Sequence, residues 1–151
     1  RSGGPINVMP SHATLELDIR TLPGVDDDDV DAAIAAALGD LAEHVTIERL
    51  LCEAATASSI DTDLYRAIEA ALTQRYPGAS VVPVLFPGGS DLRVARRLGG
   101  IGYGFGAVDS GASLGQVYSQ LHAHDEHIAL VDVRATAEVL DEVVTSYLTD
   151  V

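Results

Sequence analysis

Ala13-Thr14-Leu15-Glu16-Leu17-Asp18-Ile19-Arg20 alternates apolar and polar residues without a break. Successive side chains of a strand point to opposite faces, so Ala13, Leu15, Leu17 and Ile19 would share one face. This is the pattern of a half-buried strand, and Pro23-Gly24 stops it. Upstream, Gly3-Gly4-Pro5-Ile6-Asn7-Val8-Met9-Pro10 reads as a turn entering an extended segment, because Pro10 pushes Met9 away from helical dihedrals. Downstream, four aspartates at 26–29 precede Val30, Ala33, Ile34, Ala37, Leu38 and Leu41 at helical spacing. Negative charge is favoured at a helix start, and one of these aspartates can cap it. A calcium loop is the rival reading, but the spacing, glycine and terminal glutamate of an EF-hand are missing. Val45, Ile47 and Leu50 are read as a second strand. Strand, helix and strand together form an α/β unit, and 52–59 is a connector of small residues.

A second unit follows. Ser59 or Asp61 can cap a helix reaching Tyr76, with Leu64, Ile68, Ala71 and Leu72 inward and Pro77-Gly78 ending it. Residues 80–86 read as a short apolar strand leading into Pro87-Gly88-Gly89-Ser90-Asp91-Leu92-Arg93. A short helix over 92–98 is closed by Gly99-Gly100, and 101–106 reads as a glycine-rich strand. Residues 107–120 read as a long polar loop without periodicity. A last helix is expected over 128–148, with Val133, Ala137, Leu140, Val144 and Tyr147 on one side. The predicted class is therefore α/β in two parts, 1–52 and 53–151.

Composition narrows the function. The chain has 151 residues, 47% hydrophobic and 21% charged, as expected of a globular protein. The formal net charge of −14 disfavours nucleic acid and anionic lipid as partners. No apolar run is long enough to span a membrane, and 1–4 do not open a signal peptide. The single cysteine, Cys52, excludes an internal disulfide and suits a reducing cytoplasm.

Two stretches carry candidate chemistry. In Gln120-Leu121-His122-Ala123-His124-Asp125-Glu126-His127-Ile128, three of the five histidines are interleaved with two carboxylates. Neutral imidazole and carboxylate are divalent-metal ligands, although a His-rich polar helix start has the same composition. In the 87–93 stretch, Gly88 and Gly89 bare the backbone N–H groups before a helix, and Arg93 can reach a carboxylate. An ordinary turn capped by Ser90 or Asp91 would look the same. It is not a phosphate-binding P-loop, because the Gly-Lys-Ser/Thr end is absent. A small-ligand sensor has only this turn in its favour. His12 and His44 stand alone and read as surface residues.

Taken in order, Asn7-Val8-Met9-Pro10 with Asp18-Ile19-Arg20, then Pro87-Gly88-Gly89-Ser90-Asp91-Leu92-Arg93, then Leu121-His122-Ala123-His124-Asp125-Glu126 resemble family twenty of the metallopeptidases. That family contains aminoacylases, glutamate carboxypeptidases, acetylornithine deacetylases and succinyl-diaminopimelate desuccinylases. The resemblance implies part of an α+β sandwich lid, or dimerisation, domain over 1–52, then the C-terminal part of an α/β catalytic zinc-hydrolase domain over 53–151. It implies two zinc ions per complete site, with His122 the one metal ligand in this chain. His124 sits where the family varies and takes no role. The resemblance further implies that Asn7 contacts substrate from the lid, that Arg93 binds the substrate carboxylate, and that Gly88 and Gly89 leave room for substrate backbone. The expected substrate is a small N-acyl amino acid or dipeptide, and a homodimer through the lid is expected. The family's His-x-Asp motif, Glu-Glu pair and lid histidine are not in these residues, so the chain is expected to be inactive alone. The alternative is a non-catalytic α/β dimerisation module pairing through the 13–20 strand.

Overall fold

The computed structural model describes residues 7–149; the turn expected at Gly3-Gly4-Pro5-Ile6 lies outside them. The chain divides into two compact units, Arg1–Thr56 and Ala57–Val151. The first contains helix α1 (Asp27–Leu38), followed by a 3-10 turn, Gly39–His44. The second contains α2 (Asp63–Arg75), α3 (Leu92–Arg97), α4 (Leu114–Gln120) and α5 (Leu130–Thr149).

Helix starts are chemically explicit. The Asp26 carboxylate accepts the Asp29 N–H at 2.9 Å, and Asp29 accepts the Asp26 N–H at 3.2 Å. The acidic run is thus a reciprocal cap on α1. Gly39, at φ 53°, ends that helix in a conformation that a side chain would resist. Thr62, rather than Ser59 or Asp61, caps α2 by accepting the Tyr65 N–H at 3.1 Å. Asp61 instead pairs with Arg66 at 2.9 Å.

The α/β expectation is overturned, because the described residues contain helices and no strand or sheet. Segments 13–20, 45–50, 80–86 and 101–106 have no regular structure. Alternation marks a face, whereas a strand also needs a neighbour to take its backbone hydrogen bonds. No such neighbour is present among the described residues, and the apolar face lies open: Leu15 is 81% exposed and Val84 80%. Over 101–110, side chains meet the backbone instead. Arg96 donates to the Gly102 carbonyl at 2.6 Å, and Ser58 Oγ accepts the Gly102 N–H at 3.1 Å. Thr136 Oγ1 accepts the Ala107 N–H at 3.0 Å and donates to its carbonyl at 3.3 Å.

The core lies in the second unit, where α2 packs on α5. Ile68 and Ala71 meet Ala135, Val139 and Val143, with Ala107 closing one side. Tyr76, Tyr103 and Phe105 pack around them. This corrects the face expected of α5: Val133, Leu140 and Val144 are each nearly half exposed. The buried face centres on Ala135, which is fully buried and small enough for α2 to approach closely.

Candidate functional site

The 87–93 turn forms around Ser90. Its Oγ accepts the Leu92 N–H at 3.2 Å, and its carbonyl accepts the Arg93 N–H at 3.1 Å. The Arg93 guanidinium folds back onto the same carbonyl through Nη1 at 3.1 Å, with Asp91 3.8 Å away. Arg93 therefore stays at the turn rather than reaching outward along α3. The two glycines differ. A Cβ on Gly88 would collide with the Phe86 ring, whereas one on Gly89 would meet nothing within 4 Å.

Phe86 ties this turn to the next segment. Its ring stacks on Tyr118 of α4, with centroids 5.8 Å apart and planes inclined by 26°. Helix α4 was hidden in what reads as a featureless polar loop. It is set by a reciprocal cap in which Ser113 Oγ accepts the Gln116 N–H at 3.3 Å and Gln116 accepts the Ser113 N–H at 2.8 Å. A Ser-x-x-Gln spacing is the signal that would have found it.

The chain turns sharply after α4. His122 and Asp125 both adopt left-handed backbone, with φ of 59°. That region is unfavourable for side-chain-bearing residues and is tolerated best by Asn, Asp and His. His122 and His124 are exposed, and neither ring has a hydrogen-bond partner among the described residues. His127 is engaged, its Nδ1 2.6 Å from the Asp125 carbonyl oxygen. The Gly88–Gly89 turn and the segment leading to His122 are thus brought together through Phe86 and Tyr118. Asn7 is exposed in the first unit. His12 and His44 are exposed as well. No group of three or more His, Cys, Asp or Glu side chains able to hold a metal occurs among the described residues.

A carboxylate network that the sequence reading passed over anchors the approach to α4. Asp132, almost completely buried in the first turn of α5, accepts the N–H groups of Asp109 and Ser110 and the Ser110 hydroxyl, each at 2.7 Å. The Ser110 hydroxyl, with the two backbone donors, holds the Asp132 carboxyl below the usual carboxylate range. Asp109 is held down by the Arg75 guanidinium and by the Tyr76 hydroxyl, which donates at 2.6 Å. Arg75 also pairs with Glu138 at 2.9 Å, joining α2 to α5.

Carboxyls depressed in the folded state stabilise it above their unfolded pKa, and that stability disappears as pH falls through the folded value. The melting temperature is accordingly expected to fall as pH drops below about 4. Asp132→Asn removes the negative charge that the three donors converge on and puts an amide donor where the Ser110 hydroxyl now donates. It should melt lower at neutral pH and show a flatter acid limb in thermal scans. A melting profile superimposable on that of the unaltered chain would count against this anchoring role.

No helix among the described residues is long and apolar enough to cross a membrane. A family model described as peptidase family M20/M25/M40 matches residues 5–146. None of the curated proteins matches the chain, and neither does any solved structure.

Proposed function

The chain belongs to peptidase family M20/M25/M40, a family of peptidases and related hydrolases, and on that premise we propose that it contributes one metal ligand and a carboxylate-binding turn to a dinuclear-zinc amide hydrolase. The observation that supports this most is His122. Its imidazole is exposed and without a hydrogen-bond partner among the described residues, on a left-handed turn directly after the helix stacked on the Gly88–Gly89 segment. An imidazole free of other bonds keeps its ring nitrogen available to a cation.

Because no group of three such donors exists among the described residues, the chain fits the part of ligand supplier rather than complete centre. Zinc, when bound, would polarise the scissile carbonyl and acidify a water. The general base and the remaining ligands belong, in this proposal, to polypeptide other than these 151 residues. Arg93 receives the free carboxylate of a small N-acyl amino acid or dipeptide, for which a guanidinium fork is well shaped. Gly89 leaves open space for substrate backbone. At Gly88 the Phe86 ring fills that space, so the room expected for substrate backbone is open at Gly89 alone of the two. Asn7 keeps the substrate-contacting role that the family resemblance implies.

A second reading is favoured by the apolar side chains of that unit. An open cleft of about 430 Å³ is lined by Ile19, Leu22, Val25, Val30, Ala33 and Ile34. Apolar surface gathered in this way suits a second copy of the chain, giving a dimer without catalysis. Calorimetric zinc titration and sedimentation of the purified chain separate the two. The hydrolase reading expects weak binding of no more than one zinc and negligible amidase activity by the chain alone. Two tight zinc sites per chain would overturn it. A dimer indifferent to chelator supports the second reading, and a monomer at all concentrations rejects it.

A further inference from the structure

The turn carrying His122 is closed by another histidine that takes no part in the function proposed above. His127 Nδ1 lies 2.6 Å from the Asp125 carbonyl oxygen, and its Nε2 lies 3.4 Å from the Gln120 side-chain nitrogen. A carbonyl can only accept, so Nδ1 holds the ring proton. In the neutral ring Nε2 is then the acceptor, and the Gln120 amide donates to it. Gln120 is the last residue of α4, and Asp125 is one of the two left-handed residues of the turn. His122 is the other, so one ring grips the chain on both sides of it.

His127 is itself exposed, which leaves packing little part in its role. Left-handed backbone at residues with side chains persists where the surroundings hold it in place. The ring supplies such a hold.

We propose that His127 is a positioning residue, whose Nδ1-protonated imidazole clips the 120–127 turn and thereby presents His122 to a metal. The inference rests on the reading of His122 as a ligand, but its first readout does not depend on metal. An unconstrained neutral histidine is protonated mainly on Nε2. Long-range proton–nitrogen correlation spectra of the chain labelled at histidine, recorded near pH 8 where imidazoles are neutral, are expected to show His127 protonated on Nδ1. Zinc alone is then added to the chain and to His127→Phe. The zinc affinity reported by the His122 ring is expected to fall on the order of tenfold in the variant. The melting temperature should stay unchanged. Zinc should shift the His122 nitrogens and leave His127 Nε2 unmoved.

Protonation of His127 on Nε2 would overturn the clip. Equal zinc affinity in the variant would overturn the positioning role, and a zinc-induced shift at His127 Nε2 would replace positioning by direct ligation. His122→Asn, titrated alongside, keeps the two readings apart. Zinc affinity indifferent to that change would remove the ligand assignment while the His127 tautomer still decides whether the clip exists.

Discussion

On the proposed function, His122→Asn, assayed with the polypeptide that supplies the remaining zinc ligands, is expected to lower zinc-supported kcat/KM for N-acyl amino acids by more than about a hundredfold. Asparagine is the informative replacement because of the backbone. His122 stands at φ 59°, a left-handed conformation that asparagine accepts more readily than alanine. His122→Ala would combine loss of a ligand with strain in the turn, whereas His122→Asn isolates the ligand. The side chain is exposed, so its loss removes little packing. The melting temperature should therefore hold while zinc content and turnover fall. Full activity at saturating zinc, with the protein still folded, would reject His122 as a ligand. His124→Asn is the matched control, since His124 is also exposed and carries no assigned role.

The second large effect lies in the core. Val139 is 1% exposed and sits between Ile68 and Ala71 of α2 and its own helix neighbours Ala135 and Val143. Val139→Ala removes two buried carbons, each worth about 0.8 kcal/mol in transfer, and leaves a small void. A cost of about 2 kcal/mol corresponds to a melting temperature lower by roughly 10 °C for a unit of this size. The fully buried residues around it are largely alanine and valine, and the larger side chains, Leu72, Tyr76, Tyr103 and Phe105, pack at the margin of the cluster. Val144→Ala, one residue on but 47% exposed, should stay within about 0.5 kcal/mol of the parent. Equal losses at 139 and 144, or a larger loss at 144, would mean that α5 presents its other face to α2.

That contrast shows where sequence reasoning reached and where it stopped. Helix α5 has apolar residues on more than one side, and periodicity favoured the row containing Leu140 and Val144. Packing chose the row with Ala135 because the smaller side chain permits closer approach, and size across an interface has no local signature. Helix α4 was missed although Ser113 and Gln116 carry a capping pair, since only seven residues follow the polar 107–113 stretch. The roles of Asp132, Thr136 and Arg96 were out of reach for a different reason. Asp132 and Thr136 satisfy backbone groups distant in sequence, Ser110 at a separation of 22 residues and Ala107 at 29, and Arg96 donates to the Ser58 hydroxyl 38 residues away. Within the candidate site, the stretches around Gly88, Gly89, Arg93 and His122 were singled out from the sequence, with roles that rest on the family resemblance. The Phe86–Tyr118 stack relating them, and the His127 clip, were not.

By itself the sequence marked where α1 begins, because the Asp26–Asp29 cap acts within one turn of chain. It also carried the ordered motifs that mark the family. Tertiary structure alone decided what became of the alternating segments. A helix closes its hydrogen bonds within its own residues, so its pattern is sufficient to specify it. A strand exists only when another stretch of backbone lies beside it, and in 13–20 and 80–86 no stretch among the described residues does.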